Sequence, residues 1–185
     1  GIEAKSQHKG TKKLSLLLAI LAWISLIFAA ASPRWLGEPV SIPTEGRDLM
    51  IAVDLSGSMK IDDMQVNGRQ VDRLKMIKFV LSDFIKRRVG DRLGLILFAD
   101  TAYLQAPLTY DRETVEQLLN ESLIGLVGEQ TAIGDAIGLA IKRFAARKKS
   151  NKVLVLLTDG QNTAGNITPK QANELAINNG VTIYT

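Results

Sequence analysis

Hydrophobic positions along the chain follow three different rhythms. The first is an unbroken block. LSLLLAILAWISLIFAAA, residues 14–31, carries no charge. At ~1.5 Å per residue it spans roughly 27 Å as a helix, close to the hydrocarbon thickness of a bilayer. The second is a set of short continuous apolar runs: DLMIAVD (48–54), DRLGLILFA (91–99), KVLVLLTD (152–159) and VTIYT (181–185). Runs of this length without alternation predict strands buried on both faces, as in a parallel sheet covered by helices. The third is a helical period. Leu74, Ile77, Leu81, Phe84 and Ile85 mark one face of a helix from near Asp72 to before Gly90. Ile133, Ala136, Ile137, Ala140, Ile141 and Phe144 mark another, with Arg147, Lys148 and Lys149 at its C-terminal end, where cations suit the helix dipole. Thr168 and Pro169 open a further helix as cap and first-turn proline, and Gly180 stops it. A shorter helix covers 111–119. TAYLQAPL (101–108) follows the second strand too closely for a crossover helix and predicts an antiparallel edge strand. The alternation specifies an α/β fold: a doubly wound, mostly parallel sheet with one antiparallel edge strand, preceded by a transmembrane helix.

Charge orients the apolar block. Lys5, Lys9, Lys12 and Lys13 precede it, and the far side, SPRWLGEP, is mixed in sign. By the positive-inside rule, 1–13 is a basic cytoplasmic segment, 14–32 the membrane helix, 33–46 a linker, and 47–185 a domain outside the cytoplasm. That places the chain in the inner (cytoplasmic) membrane, with a single span and its domain on the periplasmic or extracellular side. Trp35 sits where an interfacial aromatic anchors a helix, and Ser15 and Ser25 can bond back to their own helix. A buried core helix would show a polar face. A cleaved signal peptide shares the basic start and the AAASP exit, with Ala29 and Ala31 spaced like a cleavage site. The run is longer than a usual signal core, which favours an uncleaved anchor. The chain opens on Gly1 and closes inside an expected strand, so the expectation is a fragment lacking its C-terminal part.

Composition narrows the chemistry. Of 185 residues, 46% are hydrophobic, enough for one domain with a core plus the membrane segment. No cysteine is present, which excludes disulfides and thiolate metal sites. The net charge of +4 sits largely in the first thirteen residues and at helix ends, so it does not describe a nucleic-acid surface.

The residues that carry chemistry lie where strands end. In doubly wound sheets, ligands bind at the carboxyl ends of strands. Asp54 ends the first strand and Asp159 ends the run from Lys152. DLSGSM adds the hydroxyls of Ser56 and Ser58 two and four residues after Asp54. Two carboxylates with neutral hydroxyls are hard oxygen donors of the kind Mg²⁺ takes in an octahedron. With few carboxylates bound to it directly, the metal would be short of negative charge at its coordination sphere and could take a carboxylate from a partner. Each residue alone has a plainer role, Ser and Gly as turn formers and Asp as a helix cap.

DLSGSM resembles the D-x-S-x-S motif of von Willebrand factor type A domains. Their metal-ion-dependent adhesion site adds a Thr in a loop ahead of a helix, for which GEQTAIGDAI supplies Thr131, and an Asp at a later strand end, for which LLTDG supplies Asp159. The resemblance covers about 47–185. It implies direct coordination of Mg²⁺, or of Mn²⁺ or Ca²⁺, by Ser56 and Ser58. Thr131 would bind directly or through water, and Asp54 and Asp159 through waters. It also implies an open position for a partner's Asp or Glu. With the membrane helix included, RDLMIAVDLSGSM, GDRLGLILFADTAYLQAPLT, TAIGDAI and LLTDGQNTAG resemble the bacterial aerotolerance-type (Bat) membrane proteins. That group implies other Bat-type proteins and a MoxR-type AAA+ ATPase as associates, and a further membrane helix after the domain.

Other residues compete less well. His8, the only histidine, precedes the membrane helix and cannot complete a Ser–His–Asp triad beyond it. Asp62, Asp63 and Asp72 fall in an expected solvated loop after Met59, with Asp62 and Asp63 also able to shape the rim of the site. Asp135 in a first helical turn is expected to compensate the dipole. Lys86, Arg87 and Arg88 read as a solvated helix end. No Walker-type phosphate loop occurs, and in the bacterial host that the resemblance implies, the N-x-[ST] matches at Asn120 and Asn166 are chance. The expected function is therefore a membrane-anchored, divalent-metal-dependent protein-interaction domain and not an enzyme. The alternatives are a metal-dependent hydrolase on the same scaffold, with Asp54 as nucleophile or ligand, and a scaffold with a purely structural metal.

Overall fold

The structure is a computed structural model and describes residues 7–31, 46–145 and 150–185. The chain divides into two compact units, Gly1–Ser41 and Ile42–Thr185. The first holds helix α1 (Gln7–Ala31), whose stretch Lys13–Ala30 is long and apolar enough to cross a membrane. Its side chains from Leu14 to Phe28 are exposed, the surface a lipid-facing helix presents.

The second unit is built on β1 (Asp48–Asp54). All seven of its residues are buried, which is why no polar alternation marks it. β1 lies at the centre of a 5-stranded sheet of order β5-β4-β1-β6-β7. It pairs in parallel with β4 (Arg92–Phe98) on one side and β6 (Lys152–Leu157) on the other. β7 (Val181–Tyr184) extends the parallel set beyond β6, and β5 (Ala102–Thr109) closes the far edge antiparallel to β4. Leu49, Ile51 and Val53 face α2 (Arg73–Lys86) and α3 (Arg112–Glu121). Met50 and Ala52 face α4 (Ile133–Phe144) and α5 (Pro169–Asn178). Connections therefore leave β1 and β6 on opposite faces, which opens a crevice at their carboxyl ends.

Helices α2, α3 and α5 begin at side-chain caps, whereas Ala132 ahead of α4 offers none. Asp72 accepts from Lys75 N at 2.7 Å, and Asp111 from Thr114 N at 3.0 Å. Thr168 and Gln171 cap each other reciprocally ahead of Pro169. At the opposite rim of the sheet, buried Asp48 accepts from Arg92 at 2.6 Å and from the Ser150 hydroxyl.

Two differences from the sequence expectations stand out, and one expectation goes untested. β6 stops at Leu157, so Asp159 lies two residues past the ladder. The segment after Met59 is not wholly loop: β2 (Met64–Val66) and β3 (Arg69–Val71) form a hairpin about Asn67 and Gly68, at φ 51° and 77°. Both turn residues occupy the left-handed region that a two-residue hairpin turn demands. Arg147, Lys148 and Lys149 lie outside the described residues; Lys142 and Arg143 hold the last turn of α4.

Candidate metal centre

β1 delivers Asp54 at its last position, fully buried. The chain turns at once into a short 3-10 helix, Gly57–Lys60, and this turn aims Ser56 and Ser58 back over the strand end. Asp54 fixes the turn itself. Its Oδ1 accepts from Ser56 N at 2.8 Å, and its Oδ2 accepts from Thr158 Oγ1 at 2.6 Å. Ser56 Oγ and Ser58 Oγ lie 3.0 Å apart, and Ser58 Oγ donates to Asp159 Oδ1 at 2.7 Å. Side chains 101 positions apart in sequence thus share one hydrogen-bonded cluster.

Thr131 reaches the same rim through a stitched loop. Gly57 N donates to Glu129 O at 3.1 Å, and Ala132 N to Ala99 O at 2.7 Å. The Asp100 carboxylate accepts from Glu129 N and Gln130 N at 2.9 and 2.6 Å. Gly128, at φ +121°, passes so close to that carboxylate that an added Cβ would stand 2.2 Å from it. On the other side, Thr163 N and Ala164 N donate to Thr131 O. A methyl at Gly160, the residue after Asp159, would lie 3.4 Å from Thr131 Oγ1. Thr131 is thus adjacent to the Asp159 turn, and the structure gathers Asp54, Ser56, Ser58, Thr131 and Asp159 at one sheet rim.

Three positioning groups escaped the sequence reading. Thr158 bridges Asp54 and Gly160 N through its hydroxyl. Asp135 holds the loop after Asp159 by accepting from Asn166 N and Ile167 N, each at 2.9 Å, so it clamps as well as compensating a dipole. Arg73, the first residue of α2, grips both Asp63 oxygens at 3.0 and 3.1 Å through Nε and donates through Nη1 to Asp159 Oδ2. The hydrogen bond from Arg73 holds the Asp63 carboxyl below the usual aspartate range, and Asp63 and Asp159 together raise Arg73. Asp63 therefore does border the site, while Asp62 lends its backbone carbonyl to Gln70. A cation in a first helical turn opposes the dipole; that mismatch was the available signal for Arg73.

The donor set fits a hard divalent cation. Every donor is oxygen: two carboxylates and three hydroxyls, with no sulfur or imidazole. Among the described residues no three Asp, Glu, His or Cys side chains converge, so hydroxyls would have to carry part of any coordination. The floor is closed, with Asp54, Ser56 and Thr131 at 0, 1 and 5% exposure. The Asp159 side chain retains 18%, which leaves the site open on that side.

The family model of the von Willebrand factor type A domain matches residues 49–161. An uncharacterized membrane-spanning protein from Vibrio fischeri is 53% identical, with 76% of this chain and 69% of that one covered and a TM-score of 0.53. An aerotolerance-related membrane protein from Bacteroides fragilis is 31% identical, over 75% of this chain and 65% of that one, at a TM-score of 0.67. Proximal thread matrix protein 1 from the mussel byssus, in a form with a zinc-occupied MIDAS motif, is 27% identical, over 75% of this chain and 35% of that one, at a TM-score of 0.62. The chain spans about half the length of the curated relatives it matches, 47 and 44% of the first two.

Proposed function

The chain belongs to the von Willebrand factor type A domain family, and we propose that it is a membrane-anchored, divalent-metal-dependent protein-interaction domain. Asp54, Ser56, Ser58, Thr131 and Asp159 hold Mg²⁺, or Mn²⁺ or Ca²⁺ in its place, and a partner's Asp or Glu completes the coordination. The metal supplies a point of positive charge that a carboxylate can ligate. The chain's own residues do the rest. Asp54 and Thr158 lock the serine turn, Asp100 and Asp135 hold the flanking loops, and the buried floor keeps bulk water from the inner donors.

The observation that carries this reading is the convergence of hydroxyls and carboxylates from three distant segments on a rim open at Asp159. The zinc-occupied motif of the mussel relative supports the metal, and its residues come to this chain by likeness only. A protein partner suits the surroundings: Leu123 and Leu126, each 66% exposed, stand in the loop tied by Gly125 N to Leu55 O, beside the serine turn. A binding role suits Asp54 better than a nucleophilic one, because both its oxygens are already engaged and it is fully buried.

Membrane relatives and α1 support anchoring. We place the domain on the outer side of a bacterial inner membrane, by the lysines ahead of the apolar block. The aerotolerance-related relative suggests an envelope complex with other Bat-type proteins and a MoxR-type AAA+ ATPase. Cross-linking in membranes with and without EDTA tests the mechanism. Capture of a partner should fall with EDTA and with Asp54→Ala; capture unchanged by both would overturn it.

A further inference from the structure

The Arg73 guanidinium sits against Asp159, one of the proposed metal-holding residues. Asp159 Oδ1 takes the Ser58 hydroxyl and Oδ2 takes Arg73 Nη1, so both carboxylate oxygens are engaged by protein donors. Arg73 is anchored there rather than swinging free. Two of its nitrogens bind Asp63, and its side chain is only 23% exposed. Its position at the start of α2 works against the helix dipole, so the two carboxylates are what hold it in place.

We propose that Arg73 is a built-in competitor for the cation: its ion pair with Asp159 sets the divalent-metal affinity of the site low. This rests on the metal reading above. Asp54 and Asp159 bring two negative charges, which a divalent ion neutralises. The guanidinium bonded to Asp159 adds a positive charge beside that ion and occupies an oxygen that the ion, or its bound water, needs. Asp63 moderates the competition by sharing the guanidinium. Its loss hands Arg73 wholly to Asp159 and removes a negative charge from the rim. By linkage, a partner carboxylate that offsets Arg73 binds more readily to the loaded site than to the empty one, and cation and partner then bind cooperatively.

The test is Mn²⁺ alone, titrated into the full chain in detergent and followed by loss of the free-ion EPR signal, with circular dichroism as a check on folding. Removing one nearby positive charge should tighten Mn²⁺ binding, so Arg73→Gln is expected to lower Kd by ~10-fold. Arg73→Lys keeps the charge but not the planar fork that spans Asp63 and Asp159, so its Kd should fall between those of the parent and Arg73→Gln. Asp63→Asn should raise Kd by roughly three- to tenfold. Asp54→Ala should abolish binding in every background. Arg73→Gln binding no tighter than the parent overturns the proposal and leaves the metal site standing. Should Arg73→Gln fail to fold, Asp63→Asn binding as tightly as the parent overturns it instead. Mn²⁺ uptake that ignores Asp54→Ala, or no uptake by any variant, overturns the metal reading itself.

Discussion

Asp135→Ala probes how the rim is held together. The carboxylate accepts from Asn166 N at 2.9 and 3.1 Å and from Ile167 N at 2.9 Å, 31 and 32 positions further along the chain. These bonds press the loop that follows Asp159 against the first turn of α4. Gly134 makes the contact close: an added Cβ there would stand 1.8 Å from Ile167 O. Hydrogen bonds to a charged group are each worth ~1.5–3 kcal/mol. A charge in the first turn adds ~0.3–1 kcal/mol through the dipole. Asp135 is half-buried and the freed N–H groups can reach water, so the low end applies, about 2–4 kcal/mol in all. For a domain of this size that corresponds to a Tm lower by roughly 5–15 °C. Asp135→Asn loses the whole charge but keeps an amide oxygen as acceptor. It should cost about half as much, and Mn²⁺ affinity should fall in both variants. Urea unfolding of the chain in detergent, followed by far-UV circular dichroism, supplies the numbers. If Asn and Ala cost the same, and less than ~1 kcal/mol, Asp135 acts on the dipole alone and the clamp does not exist.

Gly134→Ala should lower stability by ~1–3 kcal/mol or more, since the methyl meets rigid backbone rather than a flexible side chain, and it should weaken Mn²⁺ binding with it; unchanged unfolding curves would contradict the close approach. Leu126→Asp should cut metal-dependent partner capture by at least about tenfold while leaving Tm within ~1 °C, because the side chain is exposed at the rim. Asp72 and Asp111 both titrate below the ordinary aspartate value of 3.8. For Asp72, burial pushes upward and the Lys75 contacts outweigh it; for Asp111, the Thr114 hydroxyl and N–H pull downward. Their caps therefore add stability in full above the unfolded-state pKa and lose it as pH falls through the lower folded-state values. Asp72→Ala should cost ~1 kcal/mol at pH 7 and progressively less as pH falls below the ordinary aspartate value, a trend that unfolding curves across the acid range would show or deny.

Much of the fold was legible because its strands are buried on both faces. Seven buried residues in β1 leave no alternation to misread, and the capping residues Asp72, Asp111 and Thr168 mark helix starts locally. The hairpin at Asn67 and Gly68 carried a valid turn signal. Its three-residue arms are too short and too exposed for a hydrophobic pattern to mark them. At the site, Asp54, Ser56 and Ser58 were visible because they fall at alternate positions of one five-residue stretch. Arg73 and Thr158 were not, because their roles exist only through space: Arg73 meets Asp159 across 86 positions, and Thr158 meets Asp54 across 104. Asp135 illustrates the same limit. Its place in a first turn suggests dipole compensation, and only the packed loop reveals its second task.

The whole functional reading depends on a divalent cation resting among Asp54, Ser56, Ser58, Thr131 and Asp159. Anomalous diffraction from crystals of the chain soaked in Mn²⁺ addresses that question. One peak is expected, about 2.1 Å from Ser56 Oγ and Ser58 Oγ, with Thr131 and the two carboxylates around it. Crystals soaked to saturation that show no peak among these side chains, or show it only elsewhere, would contradict the reading.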